Sequence, residues 1–178
     1  MKAVVKTVEP AEREARFDHI RPHYLEALTL VERLHRRLLD VIKDEFDRRG
    51  RADINSVQAL LLYNIGDKEL TAGELRTRGY YLGSNVSYNV KKMLENGYIV
   101  QERSPHDRRS VRVRLSEKGL ALHAKLNKMH ERHIAAIAQG VVQPEDLGSA
   151  HKTLRRLERF WTQAVELGVR AAQFPPAA

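Results

Sequence analysis

Within nine residues the sequence places Ser84, Asn85, Ser87, Tyr88, Lys91 and Lys92. These side chains suit hydrogen bonding to a polyanion more than bond-breaking chemistry. An amide such as Asn85 pairs with adenine in a bidentate way in the major groove of duplex DNA, whereas ammonium groups such as Lys91 and Lys92 meet phosphates. Further on, Arg108 and Arg109 lie in a polar stretch suited to entering a narrow, electronegative minor groove. Arg76 and Arg112 flank this set.

The charge is concentrated in the same place. From Arg76 to Arg114 there are nine basic residues and three acidic ones, which is +6 of the chain's net +8; the other 22 basic and 20 acidic residues nearly cancel. Scattered charge aids solubility, while a cluster creates a field that recruits polyanions. Anion binding is therefore expected in the middle of the chain. For Arg112 and Arg114, phosphate contact and a purely structural role are equally compatible with their alternation. Asp107 is expected to hold a neighbouring arginine by a charge-assisted hydrogen bond.

Other chemistries find little support. The chain has no cysteine, so disulfides, thiolate zinc sites and cysteine nucleophiles are excluded. Its eight histidines include His130 and His133 at i, i+3 and His19 and His23 at i, i+4, spacings that put both rings on one helix face. With no obvious third ligand they read as surface or core-edge residues, and neither metal nor cofactor is expected. A metal-assisted hydrolase built on His130 and His133 is the remote alternative. P-loop, G-x-G-x-x-G, G-x-S-x-G and H-E-x-x-H patterns are missing, so an enzyme is not expected.

The elements that position the basic segment follow from periodicity. A chain of 178 residues with 42% hydrophobic and 6% aromatic content allows one compact domain, or a small domain with helical extensions, whose burial comes mainly from aliphatic side chains. Apolar residues from Tyr24 to Phe46 recur at spacings near three and four, predicting a long helix from about Arg21 to Arg48. Asn55 and Gln58 form a capping box that opens a second helix, stopped by Gly66, and Thr71 and Glu74 a box for a short third. Ser84 is expected to cap a fourth helix ending at Asn96-Gly97, with Val86, Val90, Met93 and Leu94 on its inner side. The period then changes to two, predicting two strands, Tyr98–Arg103 and Val111–Leu115, joined by a long polar tip at 104–110. Two more helices follow, one from Ser116 to about Gly140 and one from Pro144. Trp161 lies on the apolar stripe of the last. No apolar run approaches a membrane span of roughly 18 residues, and the first residues lack a secretory pattern. A soluble cytoplasmic protein is expected.

A capped helix, a turn, a helix with a basic face and a two-stranded hairpin describe a mainly α fold with a small β-hairpin wing, a winged helix-turn-helix. At Asp107-Arg-Arg-Ser-Val-Arg-Val-Arg-Leu115-Ser-Glu-Lys-Gly119 the chain resembles the MarR family of bacterial regulators, whose wing carries this pattern. The preceding LTAGELRTRGYYLGSNVSYNVKKMLENGYI segment is similar to that family's helix-turn-helix, so the resemblance covers about residues 54 to 120. The Tyr-Tyr-Leu-Gly-Ser-Asn turn is most similar to the alphaproteobacterial LdtR-like branch, which implies envelope or stress genes as targets.

The resemblance implies a ligand-responsive transcription regulator. It would be a homodimer whose N- and C-terminal helices interleave, with two winged lobes on a pseudo-palindromic double-stranded DNA operator. The corresponding divisions are an N-terminal arm and dimerisation helix at 1–50, a DNA-binding lobe at 51–119 and C-terminal dimerisation helices at 120–178. The residues before Arg21 extend beyond the family pattern, as an added helix crossing to the partner would. The resemblance also implies a small-molecule crevice between lobe and dimer helices. His19, His23 and Tyr24, with Leu60, Tyr63 and Asn64, are the residues suited to line it, and a small aromatic or phenolic acid is the ligand they suit. Competing readings are a regulator without small-molecule control and an architectural or RNA-binding module using the basic segment as an electrostatic surface.

Overall fold

Pro10 starts the first helix. Proline is favoured at the first helical position because its missing N–H has no intrahelical partner there and its φ is already helical. In the computed structural model α1 runs Pro10–Asp47, with Glu12 in its first turn. The helix thus begins 11 residues before the Arg21 start expected from the apolar stripe. Pro22 lies inside it at the cost of one donor, and the two flanking stretches are both helical. The structure describes residues 9–48, 53–71, 74–75, 83–103 and 111–166.

The chain forms two compact units, Met1–Asn127 and Lys128–Ala178. The first contains α1, α2 (Ser56–Ile65), β1 (Leu70–Thr71), α3 (Gly83–Glu95), β2 (Ile99–Arg103), β3 (Val111–Leu115) and the start of α4 (Glu117–Ile137). The second contains the rest of α4 and α5 (Pro144–Glu166).

In the first unit α2 is the central element and packs on α1, α3 and β3. Its capping box forms as expected: Gln58 N–H donates to Asn55 Oδ1 at 2.8 Å, and Asn55 N–H donates to Gln58 Oε1 at 3.2 Å. Ala59, Leu61, Leu62 and Ile65 are buried on it, and Ile42 and Phe46 are buried on α1. The Thr71–Glu74 box also forms, with Thr71 N–H and Oγ1 both donating to Glu74 Oε2 and Glu74 N–H donating to Thr71 Oγ1. The short helix it opens is described only at Glu74 and Leu75.

The sheet has three strands, not the two expected. β1 joins it in the order β1-β3-β2, all antiparallel, with Leu70 opposite Val113 and Ile99 opposite Leu115. A two-residue strand carries no periodicity of its own, so only its pairing with β3 reveals it. The wing tip at 104–110, including Asp107, lies outside the described residues.

α3 ends as its Asn96-Gly97 pair predicts. Gly97 has φ 72°. Tyr98 N–H reaches Met93 O at 2.8 Å and Gly97 N–H reaches Leu94 O at 3.0 Å, a Schellman closure with buried Tyr98 and Met93 as its apolar pair. Two expectations for α3 need correction. The helix starts at Gly83, so Ser84 is already helical rather than its cap. Leu94, expected on the inner side with Val90 and Met93, is exposed, and Asn89 is buried instead.

Candidate nucleic-acid interface

α3 is two-faced because Val90 and Met93 are buried in the lobe while Tyr88 and Lys91 point outward. Tyr88 is 60% exposed. The side chain of Lys91 is 75% exposed and that of Lys92 is 43% exposed, so the two lysines are not equivalent. Lys92 Nζ donates to Glu95 Oε2 at 2.8 Å, whereas Lys91 Nζ stands 3.9 Å from the same carboxylate. The hydrogen bond to Glu95 raises the Lys92 pKa and lowers that of Glu95. Lys92 must leave that partner to meet a phosphate, which makes Lys91 the more available cation. The i+3 and i+4 spacing of Glu95 from these lysines was a readable signal of this tether.

Ser87 is exposed on the same helix. Ser84 and Asn85 lie in its first turn, with their side chains outside the described residues. Arg76, Arg108 and Arg109 lie outside them altogether, as does the Tyr80–Leu82 part of the turn.

Arg112 is in β3, half-buried, and its Nη1 donates to Glu69 at 3.0 Å. Because β1 pairs with β3, the residue just before β1 comes alongside Arg112. That pair is 43 residues apart in sequence, so no local pattern announces it. Arg114 makes an ion pair with Glu102 on β2, a diagonal neighbour on the same sheet face. Arg112 and Arg114 are thus each tied to a carboxylate.

The residues expected around a ligand fall into two groups. His19 and His23 are exposed on α1 with ring centroids 5.7 Å apart, and Tyr24 beside them is half-buried. At 1.5 Å per residue, His19 and His23 stand roughly 30 Å or more along α1 from Ile42 and Phe46, the buried residues of that helix. Leu60, Tyr63 and Asn64 are half-buried on α2. Tyr63 stacks on His123 of α4, centroids 5.2 Å apart, and Asn127 lies 3.3 Å from the His123 ring nitrogen. His123, absent from the sequence-based set, is thus the neighbour that α4 brings to Tyr63. Two open grooves have volumes of about 380 and 430 Å3. Arg33, Arg36, Arg37 and Asp40 line one, and a basic stripe from His151 to Arg159 lines the other.

In the second unit, burial lowers the His130 pKa, with charge repulsion from His133 adding to the effect. The two rings meet edge to face at 6.3 Å. Among the described residues no group of three or more His, Asp or Glu side chains is placed to hold a metal. No described helix is long and apolar enough to cross a membrane.

This arrangement has known counterparts. A sequence profile described as MarR family matches residues 52–110. The exopolysaccharide II synthesis transcriptional activator ExpG of Rhizobium meliloti (strain 1021) is 39% identical over 146 residues, covering 82% of this chain and 75% of ExpG. Among solved structures, the transcriptional regulator SlyA superposes with a TM-score of 0.67 at 15% identity over 79% of this chain and 97% of its own. Streptococcus pneumoniae FabT, crystallised in complex with DNA, gives a TM-score of 0.60 at 22% identity, covering 79% of this chain and 98% of that one. The profile match, joined to an ExpG likeness that extends well beyond it, establishes that the chain belongs to the MarR family of winged helix DNA-binding transcriptional regulators.

Proposed function

We propose that the protein acts in the cytoplasm as a homodimer on a short pseudo-palindromic duplex, α3 lying in the major groove and the 104–110 segment reaching the minor groove. The observation that carries this reading is the outward Tyr88–Lys91 face of α3, on a helix whose opposite face is buried beside the wing. Asn85 and Ser84 in its first turn are suited to base edges, since recognition helices read with their N-terminal residues. Lys91, Lys92, Ser87 and Arg76 serve the backbone, and Arg108 and Arg109 the minor groove. Arg112 braces the wing through Glu69 and reaches a phosphate only at its edge. Exposed apolar side chains on α1 and α5 support the dimer. The ExpG likeness supports surface-polysaccharide genes as targets.

Selection of bound sequences from random duplex DNA, followed by footprinting, tests the reading. A regulator enriches and protects a short palindrome. An architectural module protects DNA broadly, and that outcome would replace the proposal. Lys91→Ala should lower the salt slope by about 0.9 per protomer, one phosphate contact in each half-site and so roughly 1.8 for the dimer, on every sequence. Arg108→Ala should cost about 1 to 3 kcal/mol, mostly on the cognate site.

Modulation by a small aromatic acid completes the proposal. The Tyr63–His123 stack, flanked by Asn64 and Leu60, offers a phenol, an imidazole and an amide beside apolar surface. A ligand releases DNA only by preferring the non-binding conformation, since equal affinity for both shifts nothing. Salicylate is expected to weaken operator binding in shift assays, and Tyr63→Ala to blunt the response while leaving ligand-free binding intact. Absence of both binding and release across a panel of aromatic acids favours a regulator without small-molecule control.

A further inference from the structure

Where α3 ends, three elements meet in one knot of polar contacts. Asp53, just before α2, accepts at Oδ2 from Tyr98 Oη at 2.8 Å and from Lys118 Nζ at 2.8 Å. Lys118, in the first turn of α4, also donates to Asn96 O at 2.8 Å and lies 4.2 Å over the Tyr98 ring. Asn96 Nδ2 donates to Asp53 O. Ser116 Oγ donates to Gly97 O at 2.6 Å while accepting from Gly119 N–H at 3.1 Å, so it caps α4 and holds the α3 exit together. Gly119 makes the approach possible, since a Cβ there would overlap the Tyr98 carbonyl oxygen. The hydrogen bond from Lys118 is the main reason the Asp53 pKa is lowered, and the same bond raises that of Lys118.

The Schellman bonds close the α3 exit and the Ser116 cap joins it to the α4 start, but these bonds all lie at the Gly97–Tyr98 turn, so they leave the angle between α3 and α4 open. Lys118 acts on that angle. A single ammonium bonds the backbone carbonyl at the α3 exit and the carboxylate before α2, and it sits on the helix that runs on to Ile137. We propose that Lys118 and Asp53, with Tyr98, are positioning residues for DNA recognition, setting the direction of α3 relative to α4 and so the half-site spacing that the dimer accepts. The proposal rests on the dimeric DNA-binding reading above. It concerns spacing, not contact with DNA, because none of the three lies on the outward face of α3.

The test uses the full chain and duplexes carrying two selected half-sites at a series of spacings, together with a single half-site duplex. Lys118→Met and Asp53→Asn should each reduce the preference for the best spacing over the next by about fivefold, the low end of ordinary coupling between sites. Affinity for the single half-site and the salt slope should stay unchanged. The double variant should fall no further than either single one, and Lys118→Arg, which keeps a donor for both oxygens, should restore the preference. Tyr98→Phe removes one hydroxyl and should give a smaller change of the same kind, which covers the case in which a stronger variant fails to fold. An unaltered spacing profile in folded variants overturns the inference, as does an equal loss on single and paired half-sites. If the wild-type chain enriches no half-site at all, the DNA-binding reading fails and the inference with it. If it enriches spaced half-sites and the variants share its profile, the inference alone fails.

Discussion

The winged lobe and the long terminal helices have similar aliphatic side chains and treat them in opposite ways. In the lobe, Leu61, Leu62, Ile65, Leu70, Met93 and Val113 are essentially shut off from solvent. On α1 and α5, Leu34 is 64% exposed, Leu147 is 59% exposed and Val165 is 82% exposed, with Phe17, Ile20, Leu154 and Phe160 exposed alongside them. Burying a leucine side chain is worth about 1.5 to 3 kcal/mol, so the lobe already holds its stabilisation while the terminal helices have theirs still to gain from a second surface. In the reading proposed above, local self-sufficiency belongs to the part that would face DNA, and dependence on another copy to the part that would set how two such lobes are spaced.

The strongest way to break this contrast is to charge the terminal helices. Leu147→Glu combined with Leu154→Glu alters residues that are exposed within one chain, so the fold of the chain should survive. Dimerisation should be lost, and two-half-site affinity should fall towards that of one half-site. Sedimentation velocity checks the first and a shift assay the second. A folded dimer in the variant would show that other surfaces make the contact.

Inside the lobe the opposite sensitivity is expected. Gly119→Ala places a methyl against the Tyr98 backbone and should cost about 1 to 3 kcal/mol, the range for overpacking a fitted site. Urea denaturation of the full chain reads this. A smaller loss is expected for Asn55→Ala, which removes the α2 cap and leaves the Gln58 N–H unpaired. About 1 kcal/mol is the usual cost of such a cap, measured as a shift in the thermal midpoint, and Asn55→Ser should recover most of it.

The smallest effect sharpens the comparison through pH. Asp53 has its pKa lowered by folding, so its contribution is present above the ordinary carboxyl pKa of roughly 4 and lost as pH falls through the folded value. Lys118 has its pKa raised, so its contribution is present below the ordinary ammonium pKa of roughly 10.4 and lost as pH rises through the folded value. Both groups are partly exposed and solvent screening keeps the pair's worth small. In Lys118→Met, stability lost relative to wild type should be constant between those limits and shrink outside them. A difference that varies across neutral pH would point to another titrating group.

Much of the lobe is legible in the sequence, because its signals are local. Caps at Asn55 and Thr71, the Asn96-Gly97 stop and the switch of period at Tyr98 each act within a few residues, and each appears where expected. The apolar stripe alone places the start of α1 near Arg21, whereas the true start carries its own local signal, Pro10 followed by an acid in the first turn. The two faces of α3 were readable in outline. Leu94 is exposed rather than inward, and Asn89, assigned to neither face from the sequence, is buried, because a uniform turn angle does not say where the neighbouring elements stop.

Sequence alone determined the order of the helices and of the two hairpin strands, the concentration of positive charge and the polar chemistry of α3, since these depend on side-chain type and on spacings of a few residues. Only the tertiary structure decided which cations are held by acids and which elements are tied together. Glu69 reaches Arg112 through the pairing of β1 with β3. Asp53 reaches Lys118 across 65 residues. Tyr63 acquires His123 through the packing of α4. Contacts between residues so far apart depend on strand register and helix packing, which are settled by burial over the whole lobe, so no local window of sequence contains them.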